Sequence, residues 1–157
     1  MHKGKAKGSQ LIIFPDGTLY HLDLKRADNL PPNFLLVGAA ERVDAVAKHF
    51  QSVKFRHRNP ARPEFYLVAG LYKGVPIAVL STGIGTDNIE IVLNELHALF
   101  EYDPQEDRWS NPPEKERPTG GGTSLARFAD KVNIIRVGTC GTSLKEIPVG
   151  AIVISQY

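Results

Sequence analysis

Short apolar runs recur along the chain, and polar or glycine-rich segments separate them. Residues 34–38 (FLLVG) form a compact run of the kind that makes a buried β-strand. In the segment 39–50, the apolar residues Val43, Ala47 and Phe50 stand three or four positions apart. This spacing predicts a helix directly after the strand.

Residues 64–83 contain two further apolar runs, one on each side of Lys73 and Gly74. This pattern predicts two strands joined by a tight turn. The segment 87–100 places its apolar residues mostly on one helical face, and Asp87 precedes them. It predicts a helix with Asp87 as its N-cap.

Two more apolar runs predict strands over 132–138 and 151–155, and a short helix is expected over 124–131. The segment 101–122 is rich in proline, glycine and charge, so we expect a solvent-exposed loop insertion there. Near the N-terminus, 11–22 contains two β-prone runs around Pro-Asp-Gly. That pattern predicts a hairpin or an extended arm.

Strands that alternate with helices over short turns are typical of an α/β fold. The strands show little period-two alternation, as expected where helices cover both faces of a sheet. The last predicted strand has no helix after it, which predicts a fold that is incomplete at its carboxyl end. We expect one domain over 11–157 of the 157 residues, preceded by a flexible basic leader over 1–10.

Composition excludes several classes of protein. A net charge of +2 is too small to indicate nucleic-acid binding. No apolar run approaches the ~20 residues that cross a bilayer, and the leader lacks the apolar core of a signal peptide. The lone cysteine, Cys140, excludes an intramolecular disulfide and is compatible with a cytoplasmic protein.

Three segments are expected to meet at the carboxyl ends of the strands, where open α/β sheets bind ligands. They are 37–38, 81–86 and 136–141, and each contains glycine. Glycine lets backbone N–H groups approach a ligand closely, and a helix N-terminus adds partial positive charge. The pattern predicts an anion site, although a glycine turn at a strand end also occurs without any ligand.

Arg42, Arg136 and Thr139 add side-chain chemistry at this edge. Two guanidiniums and a hydroxyl suit a tetrahedral oxyanion such as phosphate. Arg136 interrupts an apolar strand, where a buried and unpaired charge costs several kcal/mol, on the order of 3–5. An anionic ligand and a structural salt bridge are therefore the two alternatives for Arg136, whereas Arg42 taken alone also fits a solvated helix face.

Other candidates carry weaker signals. His21 lies in the arm, where a lone histidine is more often structural or exposed than functional. Cys140 has no assignable partner and is interpreted as a small core or pocket-lining residue, not as a nucleophile. No pattern of a P-loop or a dinucleotide site is present, and His49 and His97 lack metal-ligand spacing. A basic cluster is either a solvated surface or a site for an anion of a neighbouring subunit. It comprises Lys54, Arg56, His57, Arg58 and Arg62.

Six segments in a fixed order extend this picture. They are HLDLK, LLVGAAERV, PEF, YKGVPIAVLSTGIG with NELHAL, IIRVGTCG and IPVGAIVIS, and they cover most of 20–155. Together they resemble the amino-terminal half of the nucleoside phosphorylase family, in the branch of uridine phosphorylase and hexameric purine nucleoside phosphorylase. The resemblance implies an α/β fold with a mixed, partly barrel-like sheet flanked by helices. It also implies a glycosyltransferase reaction in which phosphate cleaves a nucleoside to ribose 1-phosphate and free base.

The resemblance also implies roles for individual residues. Gly38 and Arg42 fall on the first phosphate-binding turn, and Arg136 and Thr139 fall on the second, as the catalytic pair. His21 falls on a histidine lent to the ribose site of an adjacent subunit. Two further sets are implied: Thr82, Cys140 and Gly141 in the ribose and base pocket, and Glu64, Ile84 and Asn88 at a monovalent-cation (K⁺) site in the dimer interface. No other cofactor is expected.

The chain departs from the family pattern at several positions. Ala39 and Ala40 replace an aspartate and a proline, and Asn88 replaces a serine of the cation site. Pro63 stands where the family has an arginine that reaches phosphate across the dimer. Either Arg62 substitutes through a local shift, or the phosphate site is weakened. The family's carboxyl half, which recognises the base, has no counterpart in this sequence.

The expected activity is therefore that of a uridine-phosphorylase-like enzyme acting on nucleoside and phosphate within a dimer-based homohexamer, without nucleic-acid or membrane partners. STGIG favours uridine, but RVGTCG fits a purine nucleoside phosphorylase about as well. A nucleosidase that uses water has little need of two phosphate-directed arginines. The alternative from another class is a non-catalytic fragment or binding module that keeps the interface of the fold.

Overall fold

The computed structural model describes residues 11–106, 108–109 and 132–154. Its elements, in chain order, are a 3₁₀ turn Arg26–Asp28, β1 Asn33–Val37, α1 Ala40–Ala47, β2 Ser52–Arg58, β3 Tyr66–Tyr72, β4 Val75–Ser81, α2 Thr86–Glu101, β5 Tyr102–Asp103, β6 Arg108–Trp109 and β7 Asn133–Val137.

The main sheet is mixed and has the strand order β2-β3-β4-β1-β7. β1 lies in its middle and runs parallel to both β4 and β7. β3 runs antiparallel to its neighbours β2 and β4. Four strands, β1, β2, β4 and β7, therefore point the same way and end at one edge of the sheet, which we call the carboxyl edge. The predicted α/β class and mixed sheet are confirmed.

Helices cover the two faces of the sheet, which explains why the central strands lack alternation. Leu36 packs on the face covered by α2 and the arm, whereas Val37 packs on the face covered by α1. Both residues are almost fully buried. The predicted turn at Lys73 and Gly74 joins β3 to β4, and both residues have positive φ, 49° and 79°.

The N-terminal arm, residues 11–22, was predicted to be either a hairpin or an extended segment, and it forms a hairpin. Ile13 pairs with Leu19 in an antiparallel bridge, and Gly17 adopts φ 84° in the turn between them. The hydroxyl and the backbone N–H of Thr18 both donate to the Asp16 carboxylate. These hydrogen bonds lower the pKa of Asp16. Leu19 and Leu22 then anchor the arm in the core next to α2.

Several element boundaries differ from the sequence prediction. α2 begins at Thr86 with Gly85 as its N-cap and no side-chain cap, so the assignment of Asp87 as N-cap is wrong. α1 ends at Ala47, short of the predicted 50. β2 was not predicted, because its outward positions are basic and mask the apolar signal.

The C-terminal part also differs from prediction. Residues 151–154 form no strand, so the strand predicted over 151–155 is wrong for the part that the structure describes. The leader 1–10, positions 110–122 of the predicted loop and the predicted helix 124–131 lie outside the described residues. Within the described ranges, no helix is both long and apolar enough to span a membrane.

Candidate phosphate and nucleoside site

Three glycine turns lie together at the carboxyl edge. Gly38 follows β1, Gly83 lies beyond β4 and Gly138 follows β7. A Cβ placed on Gly38 would lie 3.9 Å from the carbonyl oxygen of Gly83, so these two turns are neighbours. Val37 pairs with Val137, which places the third turn beside the first. The structure thus brings the three predicted segments together.

The guanidinium of Arg136 folds over the turn that follows its own strand. A Cβ placed on Gly138 would lie 2.6 Å from Nη1 of Arg136, so the guanidinium in this position lies directly against the glycine. Arg136 is exposed, and the expectation of a buried charge is wrong, because β7 lies at the border of the sheet. Its proposed salt bridge finds no partner among the described residues.

Arg42 approaches the same edge from the other face of the sheet. It lies in the first turn of α1 and is partly buried, and its backbone N–H donates to the carbonyl oxygen of Ala39 at 3.1 Å. Its side chain forms no ion pair within the described ranges. Two arginines that form no ion pair with a described carboxylate therefore lie near one set of glycine turns: Arg42 is four positions after Gly38, and the Arg136 guanidinium lies against Gly138. This arrangement suits an anion with several oxygen atoms.

Thr139, Cys140 and Gly141 follow Gly138 directly and are all exposed. The Cys140 thiol is free. The interpretation of Cys140 as a core residue is therefore wrong, while its place in a ligand pocket stays a prediction. An exposed hydroxyl at Thr139 and an exposed backbone at Gly141 are compatible with contact to a ligand at the carboxyl edge.

Ser81 and Thr82 join the strand ends to one another. Tyr66 N–H donates to Ser81 Oγ at 3.0 Å, and Ser81 Oγ donates to the carbonyl oxygen of Glu64 at 2.5 Å. Thr82 N–H donates to the carbonyl oxygen of Val37 at 2.8 Å. The Thr82 hydroxyl is buried and lies within 3.3 Å of that same oxygen. Both side chains fix the shape of the edge, and a ribose or base contact by Thr82 stays a prediction.

The predicted cation ligands surround Gly83. A Cβ on Gly83 would lie 2.7 Å from Nδ2 of Asn88 and 3.7 Å from Cγ of Glu64. The side chain of Ile84, next in sequence, is 94% exposed. A carboxylate, an amide and a backbone carbonyl are oxygen donors of the kind that hard cations prefer. The residues present are therefore compatible with a monovalent cation, although no cluster of three or more His, Cys, Asp or Glu side chains occurs in the described ranges.

His21 is held at the end of the arm by α2. Its Nδ1 lies 2.8 Å from Oε1 of Glu95, and its backbone N–H donates to the same oxygen at 3.0 Å. The Tyr20 and Phe65 rings pack edge-on against the imidazole. Phe65 immediately precedes β3, whose first residue lies against Ser81 at the carboxyl edge. His21 therefore lies on the arm near that edge.

Arg62 is paired within the chain, in contrast to Arg42 and Arg136. Its Nη2 donates to the Tyr20 hydroxyl at 2.7 Å, and its guanidinium lies 4.1 Å above the Tyr20 ring. Asn59 joins this pair to His21, because its Nδ2 donates to the His21 carbonyl oxygen at 2.7 Å and its Oδ1 accepts from Arg62 N–H at 3.1 Å. Contacts thus connect five residues, which we call the arm network: Tyr20, His21, Asn59, Arg62 and Glu95.

The remaining basic residues of β2 divide between the two faces of the sheet. Arg56 forms an ion pair with Asp44 at 2.6 Å, and Arg58 stacks on the Tyr66 ring at 4.2 Å. His57 lies on the opposite face, 3.1 Å from the carboxylate of Asp23. Part of the basic cluster is therefore neutralised or stacked within the chain.

Sequence reasoning missed three residues of the arm network: Tyr20, Asn59 and Glu95. A signal for Glu95 was present. It lies three positions after Val92 and four before Leu99, so it interrupts the apolar stripe of α2. A charged residue in such a stripe is buried and needs partners. No comparable spacing singles out Asn59, because it lies in the loop between β2 and β3.

A mixed sheet whose parallel strands end at glycine turns defines a class of α/β protein, and comparison with known proteins makes this class specific. Residues 34–157 match the sequence model of the phosphorylase superfamily. The chain belongs to this superfamily, and the family resemblance seen in the sequence is confirmed.

Individual relatives agree with this assignment. A nucleoside phosphorylase of Trypanosoma brucei, described as showing uridine phosphorylase activity, is 38% identical and superposes with a TM-score of 0.68 over 88% of this chain and 41% of its own. A uridine phosphorylase of Phytophthora capsici is 26% identical, with a TM-score of 0.59 over 85% of this chain and 35% of its own. A uridine phosphorylase of Thermococcus kodakarensis is 36% identical over 86 residues, which are 54% of this chain and 29% of that protein. The chain thus spans less than half the length of these relatives.

Proposed function

We propose that the whole protein is a nucleoside phosphorylase that cleaves uridine with phosphate, giving ribose 1-phosphate and uracil. The observation that carries this proposal is the pair Arg42, in the first helical turn after Gly38, and Arg136, whose guanidinium lies against Gly138; neither has a carboxylate partner among the described residues. Membership of the phosphorylase superfamily supports it. An anion held at this edge has a clear chemical use, because phosphate is the nucleophile of the reaction.

The geometry suits a reaction that depends on positioning and electrostatics. Arg42 and Arg136 orient the phosphate dianion from the two faces of the sheet, and Thr139 donates to one of its oxygens. As the glycosidic bond loosens, the sugar acquires oxocarbenium character, and the phosphate dianion stabilises its positive charge. No protein nucleophile is required, in keeping with the interpretation of Cys140 as a non-nucleophilic residue.

The remaining predicted residues complete the proposed site. Gly38 provides backbone N–H access to phosphate, while Thr82, Cys140 and Gly141 line the ribose and base pocket. His21 binds ribose of an adjacent subunit, which requires a homo-oligomer. Arg62 donates hydrogen bonds to phosphate through the guanidinium N–H groups that are not bonded to Tyr20. Glu64, Asn88 and the Ile84 carbonyl bind a monovalent cation, and the enzyme acts in the cytoplasm.

We propose uridine rather than a purine nucleoside as the substrate because the relatives from T. kodakarensis, T. brucei and P. capsici are described as uridine phosphorylases or as having that activity. The STGIG segment at 81–85 points the same way. A hydrolytic nucleosidase is disfavoured, since water needs no pair of guanidiniums to hold it.

The test is an assay of the full-length protein with uridine or inosine, in the presence and absence of phosphate. We expect release of uracil that requires phosphate and yields ribose 1-phosphate, with inosine cleaved at least tenfold more slowly, about the discrimination that a few pocket contacts provide. Uracil release that continues at the same rate without phosphate would contradict phosphorolysis. Faster cleavage of inosine would contradict the choice of uridine.

A further inference from the structure

Glu95 has a buried carboxylate next to the arm, and the residue is only 1% exposed. It lies on the core-facing side of α2, and all its hydrogen-bond partners in the described ranges belong to the arm. Oε2 accepts from Leu22 N–H at 2.7 Å, and Oε1 accepts from His21 N–H at 3.0 Å. Burying a carboxylate is costly unless donors surround it, so these contacts explain how the core tolerates Glu95.

A third contact of Glu95 has a different consequence, because it involves the His21 ring. Oε1 lies 2.8 Å from Nδ1. A carboxylate oxygen that already accepts from backbone N–H groups offers Nδ1 only an acceptor, so the ring nitrogen must carry the hydrogen. The other ring nitrogen, Nε2, forms no hydrogen bond to any described residue. The His21 side chain is 25% exposed.

We propose that Glu95 is a positioning residue that fixes the Nδ1–H tautomer and the orientation of His21, so that Nε2 is presented outward to a hydroxyl group of the nucleoside sugar. This deepens the proposed function and rests on it. The arrangement matches the general rule that the hydrogen bond made by one ring nitrogen sets the state of the other. With Nδ1 protonated, the neutral ring offers Nε2 as an acceptor for a sugar O–H.

The surroundings of His21 support a fixed orientation. Asn59 holds the His21 carbonyl oxygen from the opposite side of the backbone at 2.7 Å. The edge-on contacts of Tyr20 and Phe65 limit rotation of the ring, with centroid distances of 4.9 and 6.2 Å. Asn59 and Glu95 thus hold the His21 backbone, Tyr20 and Phe65 limit rotation of its ring, and Glu95 also holds its ring nitrogen. A Glu95 that only anchored the arm would need just its two backbone contacts.

The first measurement reads the tautomer without substrate, by ¹⁵N NMR of the histidine rings in the full-length protein, with His21→Gln to assign the signal. We expect the Nδ1–H tautomer at His21. The Nε2–H tautomer, or rapid averaging of the two, would overturn the proposal whether or not the protein cleaves uridine. This readout also stands if a Glu95 variant fails to fold.

The second measurement uses Glu95→Gln, whose amide N–H₂ group must face either the Nδ1–H or a backbone N–H of the arm. We expect loss of the single tautomer and a KM for uridine raised about tenfold, while the KM for phosphate changes less than about twofold. Glu90→Gln, an exposed carboxylate on the same helix, is the matched control and should change neither value. In a His21→Ala background, Glu95→Gln should have no further effect on the KM for uridine. A further tenfold rise there would show that Glu95 acts independently of His21 and would overturn the proposal.

Discussion

Arginine is used in opposite ways in two regions of this molecule. In the arm network, Arg62 is hydrogen-bonded to Tyr20 and stacked on its ring, and Asn59 connects it to His21. At the carboxyl edge, Arg42 and Arg136 have no carboxylate partner in the described ranges and lie beside glycine turns. The first arrangement ties an arginine to partners within the chain and leaves it only part of its N–H groups, whereas the second leaves both arginines without an ion-pair partner among the described residues.

The difference teaches that partners identify a functional arginine better than burial does. Arg136 is a charge in an apolar strand, yet it is exposed, so the cost of burying it does not arise. What distinguishes it is its guanidinium, which lies against Gly138 and has no carboxylate partner among the described residues. Substitutions in the two regions should therefore affect different properties.

The largest effect is expected for Arg136→Ala. Losing one of the proposed charged donors to phosphate should lower kcat/KM for phosphate about 100-fold. The free energy of unfolding should change by less than about 0.5 kcal/mol, because the side chain is exposed. Steady-state kinetics at varied phosphate, together with urea unfolding, measure both quantities.

Arg26→Ala is the matched control for Arg136→Ala. Arg26 is also exposed, but its Nη1 donates to the carbonyl oxygen of Tyr102 at 3.4 Å, at the end of α2 away from the carboxyl edge. Its kinetics should be those of the unsubstituted protein. Equal losses in both variants would mean that total charge, and not the position of Arg136, determines phosphate use.

A smaller effect, mainly on stability, is expected for Asn59→Ala. Its buried amide forms hydrogen bonds with the His21 carbonyl and with the N–H groups of Ala61 and Arg62. Removing these should lower the free energy of unfolding by about 2 kcal/mol, since buried groups lose their partners. Urea denaturation checks this, with Asn33→Ala as the comparison, because Asn33 is only partly buried and its side-chain hydrogen bonds to Pro76 and Asn133 are exposed to water. An Asn59→Ala protein no less stable than Asn33→Ala would show that the arm is held without this side chain.

The smallest effect is expected for Gly83→Ala. Gly83 has φ 72°, and the added Cβ would lie 2.7 Å from Asn88 Nδ2. Gly74→Ala shares the positive φ, 79°, but meets no atom within 4 Å. Both should lose about 1 kcal/mol in unfolding free energy from backbone strain. Only Gly83→Ala should also displace Asn88 and weaken any activation by K⁺, measured as activity at varied KCl. Identical K⁺ responses in the two variants would contradict a cation site at Gly83.

The central sheet was predictable because its apolar runs are short, continuous and separated by glycine or turn residues. Such patterns predicted the two strands on either side of Lys73, and they also predicted that a strand is followed directly by α1. β2 was missed because its outward residues are charged, and the strand predicted over 151–155 is absent from 151–154 because an apolar run forms a strand only where another strand pairs with it.

Prediction of the site divides along similar lines. Topology rules place the ends of parallel strands together, so the meeting of the turns at Gly38, Gly83 and Gly138 could be predicted from sequence, while phosphate binding by Arg42 and Arg136 stays a prediction. The arm network was not, because Glu95 and His21 are 74 positions apart and their contact depends on packing of the arm against α2. A single sequence shows a charged residue inside an apolar stripe but not its partner.

The pairing of β1 with β7 has a consequence for how the molecule assembles. Asn33 and Asn133 are hydrogen-bonded across 100 positions of chain, whereas β3 and β4 adjoin through a tight turn. Closing so long a loop costs conformational entropy before any contact repays it, so the hairpin should form early and β7 should add late. Arg136 should then reach the carboxyl edge after the hairpin of β3 and β4 has formed, so the proposed phosphate site should be assembled later than that hairpin.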